Sequence, residues 1–486
     1  MIFTRNKKIF SISFLLLILI IIASGIYYLN QNKKVKKTIS IDLKQIKKRG
    51  KLIAITEFNS TSFFIYKGAT MGFQYELLQQ FAKHLGLELK VVLCNNLHQT
   101  FDSLALGKGD LIALNLNATP ERLTTMNFTL PFSKTNQILV QRKPDKWLEM
   151  SKKELNKNLV RHLKELNYKK VYIQINSSFR QTLKHLSDSL KINIFIRDTA
   201  KTTEELISLV ADKKISFAVC DENVGYMIQR SFPSIDIKTP VSFEEGLSWA
   251  VRKNSTHLLD DLNKWLKEYI KTSEYAFIYN KYYTTPDWVA QRRKTGYFSV
   301  NSNRISAYDE TIKKYSKLID WDWKLIASLM YEESRFNNDL ISSHGAIGLM
   351  QLDPKIAKKY KLDSLSSPAN NIRSGIKHLK EINDIFKKDI KNKDERIKFI
   401  LAAYNTGIIN IIHARDRAKK NHVNPNVWDE GVAYFIFKDH NLKEMTDSTK
   451  DHVLKSYTFV RNILERFEHY KTTIKENDDS KLKSKK

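Results

Sequence analysis

The stretch YEESRFNNDLISSHGAIGLMQL, Tyr331 to Leu352, joins the end of an apolar helix to an acidic pair and a glycine-bearing loop. From Leu325 to Arg335 the apolar residues Leu325, Ile326, Leu329 and Met330 recur at i, i+1, i+4 and i+5, one face of a helix with a period of about 3.6. At about 100° per residue, Glu333 projects near the middle of that face and Glu332 falls roughly a quarter-turn to the side, closer to solvent. A carboxyl group held against hydrocarbon loses hydration of its charged form, so its pKa rises and it stays protonated near neutral pH, as a general acid must. The alternative is a helix-end carboxylate paired with Arg335 or a nearby lysine, because glutamate is seldom buried alone.

Downstream, Ser342, Gly345, Ala346, Gly348, Leu349, Met350 and Gln351 form a loop entering another helix, and its glycines permit close backbone approach to a polymer. Asp353, next to Pro354, fits a helix cap better than a second catalytic acid. Further on, LAAYNTG at Leu401 to Gly407 ends a helix with Tyr404 and Asn405, a hydroxyl and an amide suited to hydrogen-bonding an N-acetyl sugar.

The ordered motifs EES, SSHGAIGLMQ, NNIRSGIKHL and LAAYNTG resemble the lysozyme-like domain of the soluble lytic transglycosylase family, over roughly Ser306 to Tyr470. The resemblance implies that Glu333 is the single catalytic carboxylate, that Ser334 supports it by a hydrogen bond, and that Ser342, Gly345, Gln351, Tyr404 and Asn405 line a sugar cleft. The terminal SYTFV departs from the family pattern, with Phe459-Val460 where Tyr-Val is usual. The implied chemistry is cleavage of the β-1,4 bond between N-acetylmuramic acid and N-acetylglucosamine without water, leaving a 1,6-anhydromuramoyl end, in exolytic or endolytic mode.

The run Ile9 to Leu29 carries no charge, is long enough to cross a hydrocarbon core and follows Arg5, Lys7 and Lys8. It reads as a transmembrane anchor, with a cleaved signal peptide as the alternative, and either choice places the rest outside the cytoplasm. Two cysteines in 486 residues, Cys94 and Cys220, build no disulfide framework. The net charge of +29 suits an anionic partner. Export argues against nucleic acid and leaves peptidoglycan or a lipid surface. The 12 histidines show no metal-ligand spacing, so neither a metal nor a cofactor is expected.

Between Lys51 and Tyr283, β-rich runs (LIAIT, LKVVLC, DLIALNLN, KKVYIQI, NIFIRD, ISFAVCD, LSWAVRK) alternate with helical patterns, which predicts two α/β lobes with a double crossover. The motifs GFQYELLQQFAKHLG, LALGKGDLIALNLNATPERLTTMNFTLPF and FAVCDENVGYMI resemble the family 3 extracellular solute-binding proteins. That resemblance implies that Arg122 clamps a ligand carboxylate and Asp221 holds an α-amino group, a pairing suited to a zwitterion. Ser177 and Ser178, before a helix starting near Phe179, offer hydroxyls and N–H groups to an anion. Taken singly, Arg122 also fits an ion pair with Glu121, and Asp221 the N-cap of the next helix.

The expected fold is therefore a two-lobe α/β periplasmic-binding-protein-like domain followed by a mainly α lysozyme-like domain, behind an N-terminal transmembrane helix. The expected divisions are 1–8 cytoplasmic, 9–29 anchor, 30–50 basic linker, 51–284 solute-binding-like, 285–305 polar connector, 306–470 catalytic and 471–486 disordered tail. This order resembles membrane-bound lytic murein transglycosylases, which implies glycan strands as substrate, an amino acid or muropeptide as ligand of the first module, and the periplasmic side as location. The resemblance favours the outer membrane and an uncleaved helix the inner one. A non-catalytic solute or glycan receptor and a hydrolytic muramidase are the competing readings.

Overall fold

A computed structural model describes residues 39–284, 291–300, 302–429, 431–436 and 447–475. The first lobe holds strands β1 (Lys51–Thr56), β2 (Phe64–Tyr66), β3 (Ala69–Met71), β4 (Glu88–Leu93), β5 (Leu111–Leu116), β6 (Met126–Phe128) and β7 (Ser133–Thr135). The chain then builds β8 (Gln137–Arg142), β9 (Lys170–Gln174), β10 (Phe195–Thr199), β11 (Phe217–Asp221) and β12 (Ile235–Pro240), and returns through β13 (Glu245–Arg252). The lobe sheets run β4-β1-β5-β13-β6, with β7 also on β13, and β10-β9-β11-β8-β12. Strands β1, β4 and β5 are parallel, whereas β13 runs antiparallel to β5, as a strand returning from the other lobe must.

These are the two α/β lobes and the double crossover that the alternating pattern predicts. At the crossover the backbone N–H of Val241 donates to Gln137 O at 2.8 Å, and that of Gln137 to Ser242 Oγ at 2.8 Å, tying the two connecting strands together. The helix Phe73–Leu85 buries Phe73, Leu77, Leu78 and Phe81 in the first lobe's core, as its apolar spacing requires. Cys220 is buried in the second lobe and Cys94 lies in the first, and both are free thiols.

Three of the predicted divisions differ from the structure. Within the expected linker, the capped helix Leu43–Arg49 packs on the first lobe through fully buried Ile46. Of the expected connector, the described part is ordered against β2: Ser299 N donates to Ile65 O at 2.9 Å, Ile65 N to Ser299 Oγ at 2.7 Å, and Phe298 is buried. Its polar composition hides one aromatic residue with a core to fill. The last helix, Asp447–Thr473, also runs beyond Tyr470. The apolar run Ile9–Leu29 and the end of the tail lie outside the described residues, among which no helix is long and apolar enough to cross a membrane.

The second half is helical and surrounds the helix Trp323–Ser334, whose residues Trp323 to Met330 are all buried. Sequence periodicity suggests one apolar face. In the fold this helix is sheathed on every side and only its last turn emerges, because the helices Asp309–Ser316 and Asp447–Thr473 both pack on it.

The two halves share a core. Hairpin β2–β3 turns through Lys67 (φ 47°) and Gly68 (φ 79°), the paired left-handed residues of a two-residue hairpin loop. Its tip enters the helical domain. Gly68 O accepts from Tyr470 OH at 2.7 Å and Arg466 Nη1 at 3.3 Å, and Ile65 belongs to the helical domain's core cluster. A Cβ on Gly68 would lie 2.5 Å from the Phe336 ring and 2.7 Å from the Tyr331 ring. By contrast Gly86, φ 67°, has open space around it. Gly86→Ala is thus expected to cost about 1 kcal/mol for its backbone conformation, and Gly68→Ala about 1–3 kcal/mol more for overpacking. Urea unfolding of the full chain with each variant checks the difference.

Candidate active site and ligand cleft

Glu333 lies in the emerging last turn of the buried helix, which starts at the Asp322 cap and stops where Arg335 (φ 50°) and Phe336 (φ 62°) turn left-handed. Its side chain reaches solvent at one edge but is otherwise packed in protein. This desolvation, and secondarily the charge of Glu332, pushes its pKa up to about 8. Among the described residues no cation forms an ion pair with it, so the pairing with Arg335 is not made. Glu332 is the engaged member of the pair. It accepts from Asn462 Nδ2 at 2.9 Å and pairs with Arg466 Nη2 at 3.3 Å, while the Arg466 guanidinium stacks 3.9 Å over the Tyr331 ring.

The glycine loop is folded against this turn by buried polar groups. Ser334 is buried, and its hydroxyl donates to Leu349 O at 2.7 Å and to Met330 O at 3.2 Å; its hydrogen bonds therefore fasten helix to loop rather than reaching Glu333. Ser342 closes the loop, its Oγ accepting from Ala346 N at 3.0 Å and its N donating to Ala346 O at 2.9 Å. Gly345 and Gly348 have φ of 82° and 74°, and a Cβ at Gly348 would come within 2.5 Å of Asn371 Nδ2. Gln351, itself left-handed at φ 44°, donates through Nε2 to Leu340 O at 2.9 Å and Gly348 O at 2.8 Å. Tyr404 OH donates to Met350 O at 2.6 Å, and burial followed by the nearby Glu333 charge holds its pKa well above the usual value. Asn405 is exposed at the end of its helix, its Oδ1 accepting from Ser456 Oγ at 3.2 Å. Asp353 caps the helix Pro354–Lys359 through Lys355 N at 2.8 Å.

Sequence reasoning gave no role to Asn371, a fully committed buried amide. Its Oδ1 accepts from Met350 N at 2.9 Å and its Nδ2 donates to Ile347 O at 3.1 Å, clamping both sides of the loop. The signal was present, an asparagine beside Ile372 and Ile376 on an apolar face, where an amide survives only if it is satisfied. Arg466 was missed as well, being far from Glu332 in sequence.

The second candidate site is the cavity between the lobes, where Arg122, Asp221, Ser177 and Ser178 come together with Glu57 and Asn117. Asp221 occupies the N-cap position of the helix Glu222–Gln229 but makes no capping bond. Its Oδ1 is buried without a hydrogen-bond partner, and burial and Glu245 push its pKa up to about 7. Arg122 is buried, its pKa depressed to about 10 by desolvation; Nη1 donates to Asn117 O at 3.0 Å and Nη2 crosses to Asn176 O of the other lobe at 2.9 Å. Ser178 Oγ also crosses, donating to Asn117 Oδ1 at 2.7 Å, whereas Ser177 Oγ turns back to Gln174 O at 2.6 Å.

The fold and sites define a two-lobed solute-binding module joined to a helical domain that presents a raised carboxylic acid beside a clamped loop, the class of modular glycan-cleaving protein. Residues 52–285 match the family of bacterial extracellular solute-binding proteins, family 3, and residues 310–426 match the transglycosylase SLT domain. A relative from Desulfosudis oleivorans, membrane-bound lytic murein transglycosylase F, is 30% identical over 385 residues, covering 79% of this chain and 82% of that protein. Proteins of the same name from Haemophilus influenzae and Pseudomonas putida are 29% and 26% identical, each covering 79% of this chain and 76% and 77% of their own lengths. Among solved structures, a mutant of ArgBP from T. maritima is similar at a TM-score of 0.43 and 23% identity, across 50% of this chain and 98% of that one. The chain belongs to the membrane-bound lytic murein transglycosylase F family.

A general acid works only while protonated, so turnover is expected to fall as pH rises through about 8. Glu332→Gln removes the neighbouring negative charge and leaves Arg466 without its counter-ion. Both changes lower the Glu333 pKa, and the basic limb of the kcat/KM profile on purified peptidoglycan should move to lower pH.

Proposed function

We propose that the chain cleaves the β-1,4 bond between N-acetylmuramic acid and N-acetylglucosamine in peptidoglycan, with Glu333 as the only acid–base group. The observation that carries this reading is a desolvated carboxyl with no cation beside it among the described residues, on the helix end that faces the glycine loop. Glu333 protonates the bridging oxygen as the bond to C1 breaks. The substrate's acetamido oxygen stabilises the positive centre, and the resulting carboxylate then takes the proton of the C6 hydroxyl as O6 closes on C1. Atoms balance without water, so the products are a free N-acetylglucosamine end and a 1,6-anhydromuramoyl end, and the enzyme is a lyase.

Against a hydrolytic muramidase stands the engagement of Glu332 by Arg466 and Asn462, because two-carboxylate hydrolysis needs a second acid free to act on water or sugar. Ser342, Gly345, Gln351, Tyr404 and Asn405 serve as the wall of the glycan cleft, and Ser334 holds the loop in place. Glu333→Gln should lower release of anhydromuropeptides from sacculi by at least about a hundredfold, measured by mass spectrometry. Products heavier by one water would overturn the lyase reading, and unchanged turnover would favour a receptor.

The catalytic unit on this reading is 306–470 and the ligand-binding unit 51–284, anchored on the extracytoplasmic side by 9–29. In the first module Arg122, Asp221, Ser177 and Ser178 hold an amino acid or muropeptide released from the wall, and lobe closure changes access to Glu333. The route is short: Thr61 and Ser62 line the cavity, β2 follows them, and the hairpin tip touches Tyr331 and Arg466. Differential affinity for open and closed lobes is what such coupling requires. Adding stem peptides to the full chain should change turnover, and calorimetric binding without any change in turnover would overturn the coupling.

A further inference from the structure

The cleft between the lobes carries more negative charge than a simple zwitterion uses. Among the described residues three carboxylates, Glu57, Glu204 and Asp221, line it with a single cation, Arg122. Glu204 is accounted for by the protein: it accepts from Ser60 N at 2.8 Å and Ser60 Oγ at 2.7 Å and pairs with Arg293 at 3.2 Å. Glu57, just after β1, accepts from Asn59 Nδ2 at 3.0 Å and forms no ion pair with any described residue. Asp221 has no ion-pair partner among the described residues either, and its Oδ1 is buried and unpartnered. Burial, then Glu204, pushes Glu57 up to about 7, just as burial and Glu245 push Asp221 up to about 7.

An amino acid with a neutral or acidic side chain leaves one of these acids uncompensated, and a buried charge without a partner is costly. A second cation on the ligand removes that cost. The cavity is also bridged, because Arg122 to Asn176, Ser178 to Asn117 and Ser60 to Glu204 all join one lobe to the other around it. That favours a ligand of single-residue size.

Resting on the ligand-binding reading above and extending it, we infer that the cleft selects an α-amino acid whose side chain ends in a second cationic group. Arg122 faces its α-carboxylate, Asp221 its α-ammonium and Glu57 the distal ammonium or guanidinium. Glu57 is then the specificity-determining residue. Below about pH 7 both acids hold protons that a cationic ligand must displace, so affinity rises with pH between about 6 and 8 and protons are released on binding.

The test is calorimetric titration of the full chain in detergent with L-lysine, L-arginine, meso-diaminopimelate, L-glutamine and L-glutamate. The cationic ligands should bind about 10–100-fold more tightly than glutamine, and Glu57→Gln should erase that preference while sparing glutamine binding. In the unaltered chain at pH 7, titrations in two buffers of different ionisation enthalpy should reveal proton release with lysine, a readout that needs no variant to fold. Glutamine or glutamate binding as tightly as lysine, or lysine binding without proton release, overturns the inference and leaves the ligand-binding reading intact. Failure of every amino acid to bind overturns both.

Discussion

Taking a carboxylate out of water costs several kcal/mol unless a cation or a proton compensates it, and both sites of this chain are organised around that constraint. At Glu333 no described residue supplies a cation, so the group keeps its proton and becomes an acid able to donate near neutral pH. One residue earlier, Glu332 has the same chemistry and the opposite fate, because Arg466 and Asn462 from the last helix reach it. The division of labour between adjacent glutamates is therefore made by a helix more than a hundred residues downstream, not by their own helix. In the cleft between the lobes the same constraint recurs with Glu57 and Asp221, whose pKa values burial pushes up to about 7.

Arg466 connects these two regions. Its guanidinium pairs with Glu332, covers the Tyr331 ring and donates to Gly68 O, so it touches the turn that carries Glu333 and the first module's hairpin at once. The hairpin tip has no room to slide, since Gly68 already sits where a Cβ would overlap two aromatic rings. A movement of β2 must then be taken up by Tyr331 in the turn that carries Glu333, by Phe336 just after it, or by Arg466 on the last helix. His469 adds a second tie, lying edge-on to Phe63 and Tyr75 with ring centroids 5.1 and 5.7 Å away and hydrogen-bonded to Thr70.

What was legible in the sequence was whatever depends on local period. The alternation of Leu52–Thr56, Leu89–Cys94 and Asp110–Asn117 with helices maps onto β1, β4 and β5 because a half-buried strand and an amphipathic helix repeat differently. The helix carrying Glu333 was placed correctly, yet its burial on all sides was not readable, since Ser328 and Lys324 look solvent-facing until their neighbours are known. Hairpin β2–β3 escaped notice because its turn is Lys-Gly rather than Asn-Gly and its strands are three residues each. Arg122 and Asp221 were found through resemblance, whereas Glu57 gives no local signal: a glutamate after a strand reads as surface until the second lobe closes over it.

The interlobe bonds also limit what a ligand has to do. Arg122 to Asn176, Ser178 to Asn117 and Ser60 to Glu204 are made between protein groups, so closure has stability of its own before any ligand contributes. A ligand shifts the equilibrium only by the difference between its interactions in the two states. On the proposed reading the groups that distinguish them are Glu57 from the first lobe and Asp221 from the second, which line the same cavity, since each is costly in the closed form until its own cationic group on the ligand meets it. Closure and charge compensation are then one event, and the loop leaving Glu57 is the one that leads to the hairpin against the turn that carries Glu333.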